Sequence, residues 1–149
     1  MNNVLVDTCF WFAYFDERDS FYQKAQELKK ILNNINNILI IPHPVLYETL
    51  NTRFVSRKLW MDEFKRLLGS PSVVIISDEQ YKARALDSIL RDLTISKRTI
   101  SLVDMIIRLM IEDVNLNVSA LITFNEKDFI DLCMHKRISL LADPSCDIL

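Results

Sequence analysis

Glycine is almost absent from this sequence. Its 149 residues include one glycine, Gly69. The glycine-rich loops that cradle nucleotide phosphates, such as GxGxxG and the Walker A loop, need several glycines and are therefore excluded. The GxSxG turn that carries the nucleophile of many serine hydrolases is excluded for the same reason. Any chemistry of this chain must come from other residue types.

Cysteine and histidine are also scarce. The three cysteines, Cys9, Cys133 and Cys146, show no CxxC spacing, which argues against a disulfide framework and against a zinc site. Cys9 follows an apolar run and is predicted to be a buried thiol. Neither His43 nor His135 belongs to a set of His and Cys residues with metal-ligand spacing. Free thiols of this kind fit a reducing cytoplasm.

Strong net charge and long apolar runs are missing too. The formal net charge is -2, so any nucleic-acid contact must come from a local basic patch. No apolar run reaches the roughly 18 residues of a membrane helix, and the N-terminus lacks the basic-then-apolar order of a signal peptide. The length of 149 residues suits a single domain over residues 1–149, and the 50% hydrophobic and 26% charged composition is typical of a soluble globular protein. With free thiols and no membrane helix, a cytoplasmic location without a membrane is expected.

Strand and helix patterns alternate along the chain. Short apolar runs predict buried strands at 4–7, 38–41, 73–76, 120–124 and 138–141. Helical spacing predicts helices over about 20–34, 44–54, 60–68, 77–93, 101–114 and 126–134. This order implies a three-layer α/β/α sandwich with a mainly parallel sheet of four to five strands. In such sheets the functional crevice lies beyond the carboxyl ends of the strands.

Five side chains with oxygen donors fall near that predicted edge. Asp7 ends the first strand, and Asn125 and Asp128 follow the fourth. Glu48 lies one turn into the helix after the second strand, and Asp104 lies in the first turn of the helix before the fourth. Strand direction alone brings the first three together, whereas the other two reach the edge only if their helices begin there.

Each of these side chains also has a purely structural explanation. Asp7 is a suitable turn residue at the end of a strand, with help from Thr8. Asp104 lies three residues after Ser101, the spacing of a helix cap, and four before Arg108, the spacing of a helical ion pair. The remaining acids are explained as a second cap and a solvated helix residue.

Taken together, the five side chains favour a metal site. Oxygen donors without His or Cys are what Mg²⁺ or Mn²⁺ requires. Clustered carboxylates repel one another unless a cation is present, so such a site should depend on metal. Ions of this kind activate water and stabilise the leaving oxygen in phosphodiester cleavage.

Four segments in order carry a resemblance to a known family: Val4-Leu5-Val6-Asp7-Thr8-Cys9, Tyr47-Glu48, Ile100-Ser101-Leu102-Val103-Asp104 and Leu121-Ile122-Thr123-Phe124-Asn125-Glu126-Lys127-Asp128-Phe129. From about residue 3 to residue 142 the chain resembles the PIN-domain family, and within it the VapC-type toxin ribonucleases of bacteria and archaea. The resemblance implies a metal-dependent endoribonuclease that acts on RNA. It also implies a homodimer and, for a toxin, a cognate antitoxin.

The resemblance further implies which residues form the site. Asp7, Glu48 and Asp104 match the three core acids, and Asn125 falls on the fourth acidic position. Asparagine retains a carbonyl ligand for Mg²⁺ but removes one negative charge. Asp128 matches a further acidic position that would compensate. All five are predicted to be catalytic residues and ligands of Mg²⁺ or Mn²⁺.

The residues that would contact RNA are less specific. Ser101 matches a hydroxyl residue that often precedes the third acid, and it is predicted, with Thr8 and Arg98, to contact the substrate. The basic residues near the site are either solvated charge or phosphate contacts; they are Arg53, Arg57, Lys58, Lys97 and Arg98. The aromatic residues at 10–12, 14 and 15 are assigned to the core and a dimer surface rather than to base stacking.

Two alternatives remain open at this point. A PIN-like module weakened at Asn125 would serve in RNA binding or assembly rather than in catalysis. A phosphohydrolase of the haloacid-dehalogenase type needs a second aspartate two residues after the first, and Cys9 occupies that place.

Overall fold

A sheet of five parallel strands lies at the centre of the protein. The structure is a computed structural model that describes residues 2–95 and 99–142. The strands are β1 Asn2–Val6, β2 Asn37–Pro42, β3 Val73–Ile76, β4 Val118–Ile122 and β5 Ser139–Leu141. Their order in the sheet is β3-β2-β1-β4-β5, and each neighbouring pair is parallel. The predicted parallel sheet is confirmed.

Helices connect the strands and flank the sheet, because parallel strands need crossover connections. They are α1 Thr8–Phe15, α2 Tyr22–Leu32, α3 His43–Thr49, α4 Thr52–Val55, α5 Lys58–Leu68, α6 Glu79–Ile95, α7 Leu102–Glu112 and α8 Ile130–Lys136, with a 3-10 turn at Glu126–Asp128. Among the helices described, none is both long enough and apolar enough to cross a membrane.

The central strands carry continuous apolar runs because both of their faces are covered. Val4, Leu5 and Val6 of β1 are at most 2% exposed, and Leu121 and Ile122 of β4 are fully buried. A strand covered on one face only would alternate apolar and polar residues. The apolar runs that predicted these strands are therefore the direct result of burial between two layers of helices.

Helix α1 is missing from the elements predicted by sequence pattern. Six of its eight residues are buried, so apolar side chains lie on all its sides and give no helical period. The assignment of the aromatic residues to the core is confirmed for Phe10, Trp11, Tyr14 and Phe15. Many of their ring contacts are edge to face, as in the contact of Trp11 with Phe64 at 5.2 Å between centroids. Their role in a dimer surface stays a prediction.

The helix predicted over 44–54 is two helices. Helix α3 ends at Thr49, and the side chain of Asn51 accepts a hydrogen bond from the backbone N–H of Phe54 at 3.1 Å. Asn favours such N-caps over helix interiors, and this explains why the chain begins a new helix there. The helix predicted over 126–134 begins as the 3-10 turn and continues as α8.

The carboxyl ends of β1 and β4 lie side by side. Val6 pairs with Ile122, and the backbone N–H of Asp7 donates to the carbonyl of Ile122 at 3.0 Å. The sheet grows in one direction from β1 to β3 and in the other from β4 to β5, so a topological switch point lies between β1 and β4. Connections leave in opposite directions there and open a crevice at the carboxyl edge.

Candidate active site

Asp7 lies at this carboxyl edge of the sheet, directly after β1, and is 4% exposed. It is the N-cap of α1, and one carboxylate oxygen, Oδ1, accepts the backbone N–H of Thr8 at 2.6 Å. The other oxygen, Oδ2, accepts the hydroxyl of Thr123 at 2.7 Å and the thiol of Cys9 at 3.1 Å. Burial raises the pKa of Asp7, while these three hydrogen bonds act in the opposite direction.

Thr123 is a site residue that sequence reasoning did not identify. It is fully buried at the end of β4, and its hydroxyl oxygen accepts the backbone N–H of Asn125 at 2.9 Å while donating to Asp7. The side chain thus joins the ends of β1 and β4. The signal that would have found it is a hydroxyl residue near the carboxyl end of a predicted strand, two positions before Asn125.

Cys9 requires a correction. The sequence predicts a buried thiol, but Cys9 is half-buried and donates to the Asp7 carboxylate. Its sulfur also accepts the backbone N–H of Phe124 at 3.2 Å. Because α1 begins directly after Asp7, its first turn folds the thiol back onto the carboxylate. Burial and the Asp7 charge raise the pKa of Cys9 to about 12, so the thiol keeps its proton and acts as a donor.

Glu48 is linked to Asp7 through Thr8, whose backbone N–H donates to Asp7 and whose hydroxyl donates to Glu48. The hydroxyl of Thr8 donates to Oε2 of Glu48 at 2.7 Å, which connects the start of α1 to α3. Glu48 is exposed to solvent, whereas Thr8 is 9% exposed. The structure therefore leaves this carboxylate at the solvent side of the crevice and Asp7 at its buried side.

Asp104 lies in the first turn of α7. Its backbone N–H donates to Oγ of Ser101, the N-cap residue, at 3.0 Å, and the Ser101 hydroxyl donates to Asp104 Oδ2 at 2.8 Å. The pKa of Asp104 is raised to about 6, mainly by burial and then by the charges of Asp7, Asp128 and Glu48. The four carboxyl groups therefore share one electrostatic environment, although each comes from a different part of the chain.

Asn125 and Asp128 form a pair in the 3-10 turn after β4. Nδ2 of Asn125 donates to Oδ2 of Asp128 at 2.8 Å, and Asp128 is 8% exposed. The Asn125 side chain does not cap this turn, in contrast to the capping relation considered from sequence. Its amide instead donates to a carboxylate whose charge raises the pKa of Asp7 and Asp104.

Arg108 holds this turn from the side of α7. Its guanidinium donates to both carboxylate oxygens of Asp131 at 2.9 Å and to the backbone carbonyl of Asp128. The ion pair with Asp104 that the sequence spacing allowed is therefore replaced by one with α8. The bidentate contact fixes the guanidinium, which positions the backbone that carries Asp128.

The oxygen donors do not converge on one point. Within residues 2–95 and 99–142, no three His, Cys, Asp or Glu side chains are grouped as a metal site would require. Each carboxylate is hydrogen-bonded instead to a hydroxyl, thiol, amide or backbone group. The chemistry of the donors nevertheless fits a hard divalent cation, because all five offer oxygen. The pKa of Asp7 and of Asp104 is raised partly by neighbouring carboxylates, a repulsion that a cation would oppose.

Three of the basic residues considered as RNA contacts have partners within the chain. Arg53 pairs with Asp16, Arg57 lies over the ring of Trp60, and Lys58 pairs with Asp62 at 3.1 Å; all three remain exposed. Lys97 and Arg98 lie outside the described residues. The role of Arg98 in substrate binding stays a prediction.

Comparison of the sequence with protein-family models gave no match, and comparison with curated proteins gave none either. Among solved structures, VapC20 of Mycobacterium tuberculosis, described as a sarcin-ricin loop cleaving toxin, superposes with a TM-score of 0.65. The match covers 86% of this chain and 94% of that chain at 18% sequence identity. An identity this low shows the fold alone. The predicted PIN-like α/β architecture is therefore confirmed as a fold.

Proposed function

We propose that this protein is a metal-dependent endoribonuclease that cleaves RNA phosphodiester bonds. The observation that supports this most directly is the position of Asp7, buried where the ends of β1 and β4 meet and hydrogen-bonded to Thr123. Asp104, Asp128 and Glu48 come from other elements and are near enough to one another for the charges of Asp7, Asp128 and Glu48 to raise the pKa of Asp104. Two of these carboxylates, Asp7 and Asp128, are buried, and burying a carboxylate is costly for a fold, which makes such groups candidates for a functional site. The likeness of fold to a toxin described as cleaving the sarcin-ricin loop is consistent with a ribonuclease.

Asp7, Glu48, Asp104, Asn125 and Asp128 are the residues that would hold Mg²⁺ or Mn²⁺ through oxygen. When bound, such an ion supplies positive charge for the transition state of phosphodiester hydrolysis and lowers the pKa of water. Thr123 and Cys9 orient the Asp7 carboxylate through hydrogen bonds at 2.7 and 3.1 Å. Thr8 orients Glu48, and Ser101 orients Asp104. The hydroxyl groups of Thr8 and Ser101 are also the proposed contacts to substrate.

The test combines metal binding with cleavage. Titration calorimetry should detect Mn²⁺ binding to the native protein and a large loss of affinity in Asp7→Asn, which keeps the shape of the side chain and removes its charge. Cleavage of a structured RNA should need Mg²⁺ or Mn²⁺, stop in EDTA and stop in Asp7→Asn. A normally folded native protein that binds neither ion would contradict the proposal.

A second candidate is an RNA-binding or assembly module with a weakened site. The observation that favours it is the hydrogen bond from Asn125 to Asp128, since an amide there replaces a negative charge. Asn125→Asp separates the two functions. If this variant cleaves RNA and the native protein does not, the binding module is the better description.

A role as the toxin of a toxin–antitoxin pair is the narrower part of the proposal. Its support is the likeness of fold to the toxin VapC20. Expression of the native chain should arrest bacterial growth, Asp7→Asn should not, and a neighbouring gene product that binds the chain should restore growth. The proposed homodimer is tested separately by light scattering, and a monomer at all concentrations would contradict it.

A further inference from the structure

An open cavity of about 230 Å³ lies at the C-terminal end of α1. Its lining residues are Phe15, Asp16, Glu17, Arg18, Arg57 and Trp60. Helix α1 begins beside Asp7 and has eight residues, which span about 12 Å at 1.5 Å per residue. The cavity is therefore a neighbour of the candidate active site but is separate from its carboxylates.

The cavity has a local excess of positive charge. Asp16 is 8% exposed and is paired with Arg53, whose guanidinium lies 6.0 Å from the ring centroid of Phe12. The negative charge of Asp16 is thereby neutralised. The remaining charged groups are the exposed side chains of Arg18 and Arg57, two positive charges against one negative charge on Glu17.

An arginine and an indole form a cation-π pair in this cavity. Cζ of Arg57 lies 5.4 Å from the ring centroid of Trp60. Trp60 is half-buried and is held by Phe54, at 5.4 Å, and Phe15, at 6.3 Å between centroids. The indole is therefore fixed by the core. RNA-binding proteins stack unpaired bases on aromatic rings and guanidinium planes, and hold phosphates with arginine.

We propose that this cavity binds an unpaired nucleotide of an RNA strand, with its phosphate on Arg18 and Arg57 and its base against the Arg57–Trp60 pair. The choice of RNA rests on the proposed ribonuclease function. RNA is favoured over a protein segment because the walls combine two exposed guanidinium groups with a fixed indole.

RNA binding in EDTA tests the proposal without cleavage. The probe is a fluorescein-labelled RNA hairpin with an unpaired loop, titrated with protein while anisotropy is recorded. Arg57→Ala should weaken binding about tenfold and make the salt dependence less steep by about one unit of slope. The affinity of Arg57→Lys for RNA should fall between those of the native protein and Arg57→Ala, because lysine keeps the positive charge but lacks the planar guanidinium group.

Arg84→Ala is the matched control. Arg84 is exposed and pairs with Glu112 at 3.5 Å, at the opposite end of α7 from Asp104. Its removal costs the same positive charge at a position that does not line the cavity and should change the affinity for RNA less than about twofold. An equal effect of Arg84→Ala and Arg57→Ala would overturn the proposal, because it would show a dependence on net charge alone.

Tryptophan fluorescence gives a second readout. The chain has two tryptophans, and Trp11 is fully buried, so quenching by acrylamide reports mainly on Trp60. RNA should protect Trp60 in the native protein and less so in Arg57→Ala, whose folding is checked by circular dichroism. Failure of the native protein to bind RNA, or binding without protection, would overturn the proposal. Cavity-dependent binding without cleavage in Mg²⁺ would instead overturn the ribonuclease function alone.

Discussion

The hydroxyl of Thr123 donates a hydrogen bond of 2.7 Å to Oδ2 of Asp7, and this contact joins the carboxyl ends of two neighbouring parallel strands. The same hydroxyl oxygen accepts the backbone N–H of Asn125. A single buried side chain thus orients a carboxylate on one strand and the start of a loop on the next. Its removal should affect both stability and the site.

Thr123→Val tests this contact. Valine has nearly the shape of threonine but leaves the buried Asp7 carboxylate and the Asn125 N–H without that partner, which should lower the free energy of unfolding by about 2–3 kcal/mol. Urea denaturation in EDTA measures the change. Thr49→Val is the control, because Thr49 is fully buried and its hydroxyl has no hydrogen-bond partner among the described residues. That control should be neutral or slightly stabilising, and equal losses in the two variants would contradict the argument.

Substitutions of Cys9 test a second set of hydrogen bonds around Asp7. Its thiol donates to Asp7 and its sulfur accepts the N–H of Phe124. Cys9→Ala should lower the free energy of unfolding by about 1–2 kcal/mol, because both groups lose a partner. Cys9→Ser restores a donor and an acceptor of similar size and should recover most of the loss. A serine variant as unstable as the alanine variant would indicate that packing of the sulfur, and not hydrogen bonding, holds this residue.

The architecture and the general location of the acids could be predicted from sequence because both follow from local patterns. Buried strands have continuous apolar runs, and the ends of neighbouring parallel strands meet at one edge. Helix α1 could not be predicted in this way, because burial on all sides removes its period. The position of Cys9 depends on where α1 begins, and the contact of Thr123 with Asp7 joins residues 116 positions apart. Such contacts depend on strand order, which no local pattern reports.

The raised pKa of Asp104 leads to a prediction of how the free energy of unfolding depends on pH in the absence of metal. Its pKa is about 6 in the folded protein against an ordinary value of 3.8, so the folded state binds the proton more tightly. This contribution to stability is fully present below pH 3.8 and is lost as pH rises through about 6. The loss should be about 1 kcal/mol, a figure reduced for solvent screening because the side chain is partly exposed.

The pH prediction is measured as a difference between two proteins. Urea denaturation in EDTA at a pH below 4 and at pH 7 should show that Asp104→Asn gains stability relative to the native protein as pH rises. Carboxyl groups that are not coupled to Asp104 contribute equally to both proteins and cancel in the comparison, whereas the difference reports Asp104 together with the neighbours whose charges act on it. A constant difference between the two proteins across this range would contradict the raised pKa of Asp104.

Asn125→Asp concerns the one position where the sequence lacks an expected acid. In the native protein the Asn125 amide donates to Asp128 at 2.8 Å. A carboxylate in its place would face Asp128 as a like charge, which should lower the unfolding temperature in EDTA. Under the proposed function, Mg²⁺ should then raise the unfolding temperature more in this variant than in the native protein, because a cation relieves the repulsion.

Asn125→Ala separates the loss of the hydrogen bond to Asp128 from the addition of a negative charge at residue 125. It removes the hydrogen bond to Asp128 without adding charge, so its unfolding temperature should fall in EDTA while its response to Mg²⁺ should not exceed that of the native protein. Thermal unfolding of the three proteins across a Mg²⁺ series gives the comparison. If Asn125→Asp and Asn125→Ala respond equally to Mg²⁺, the carboxylate at this position adds no ligand, and the assignment of residue 125 to the metal site is wrong.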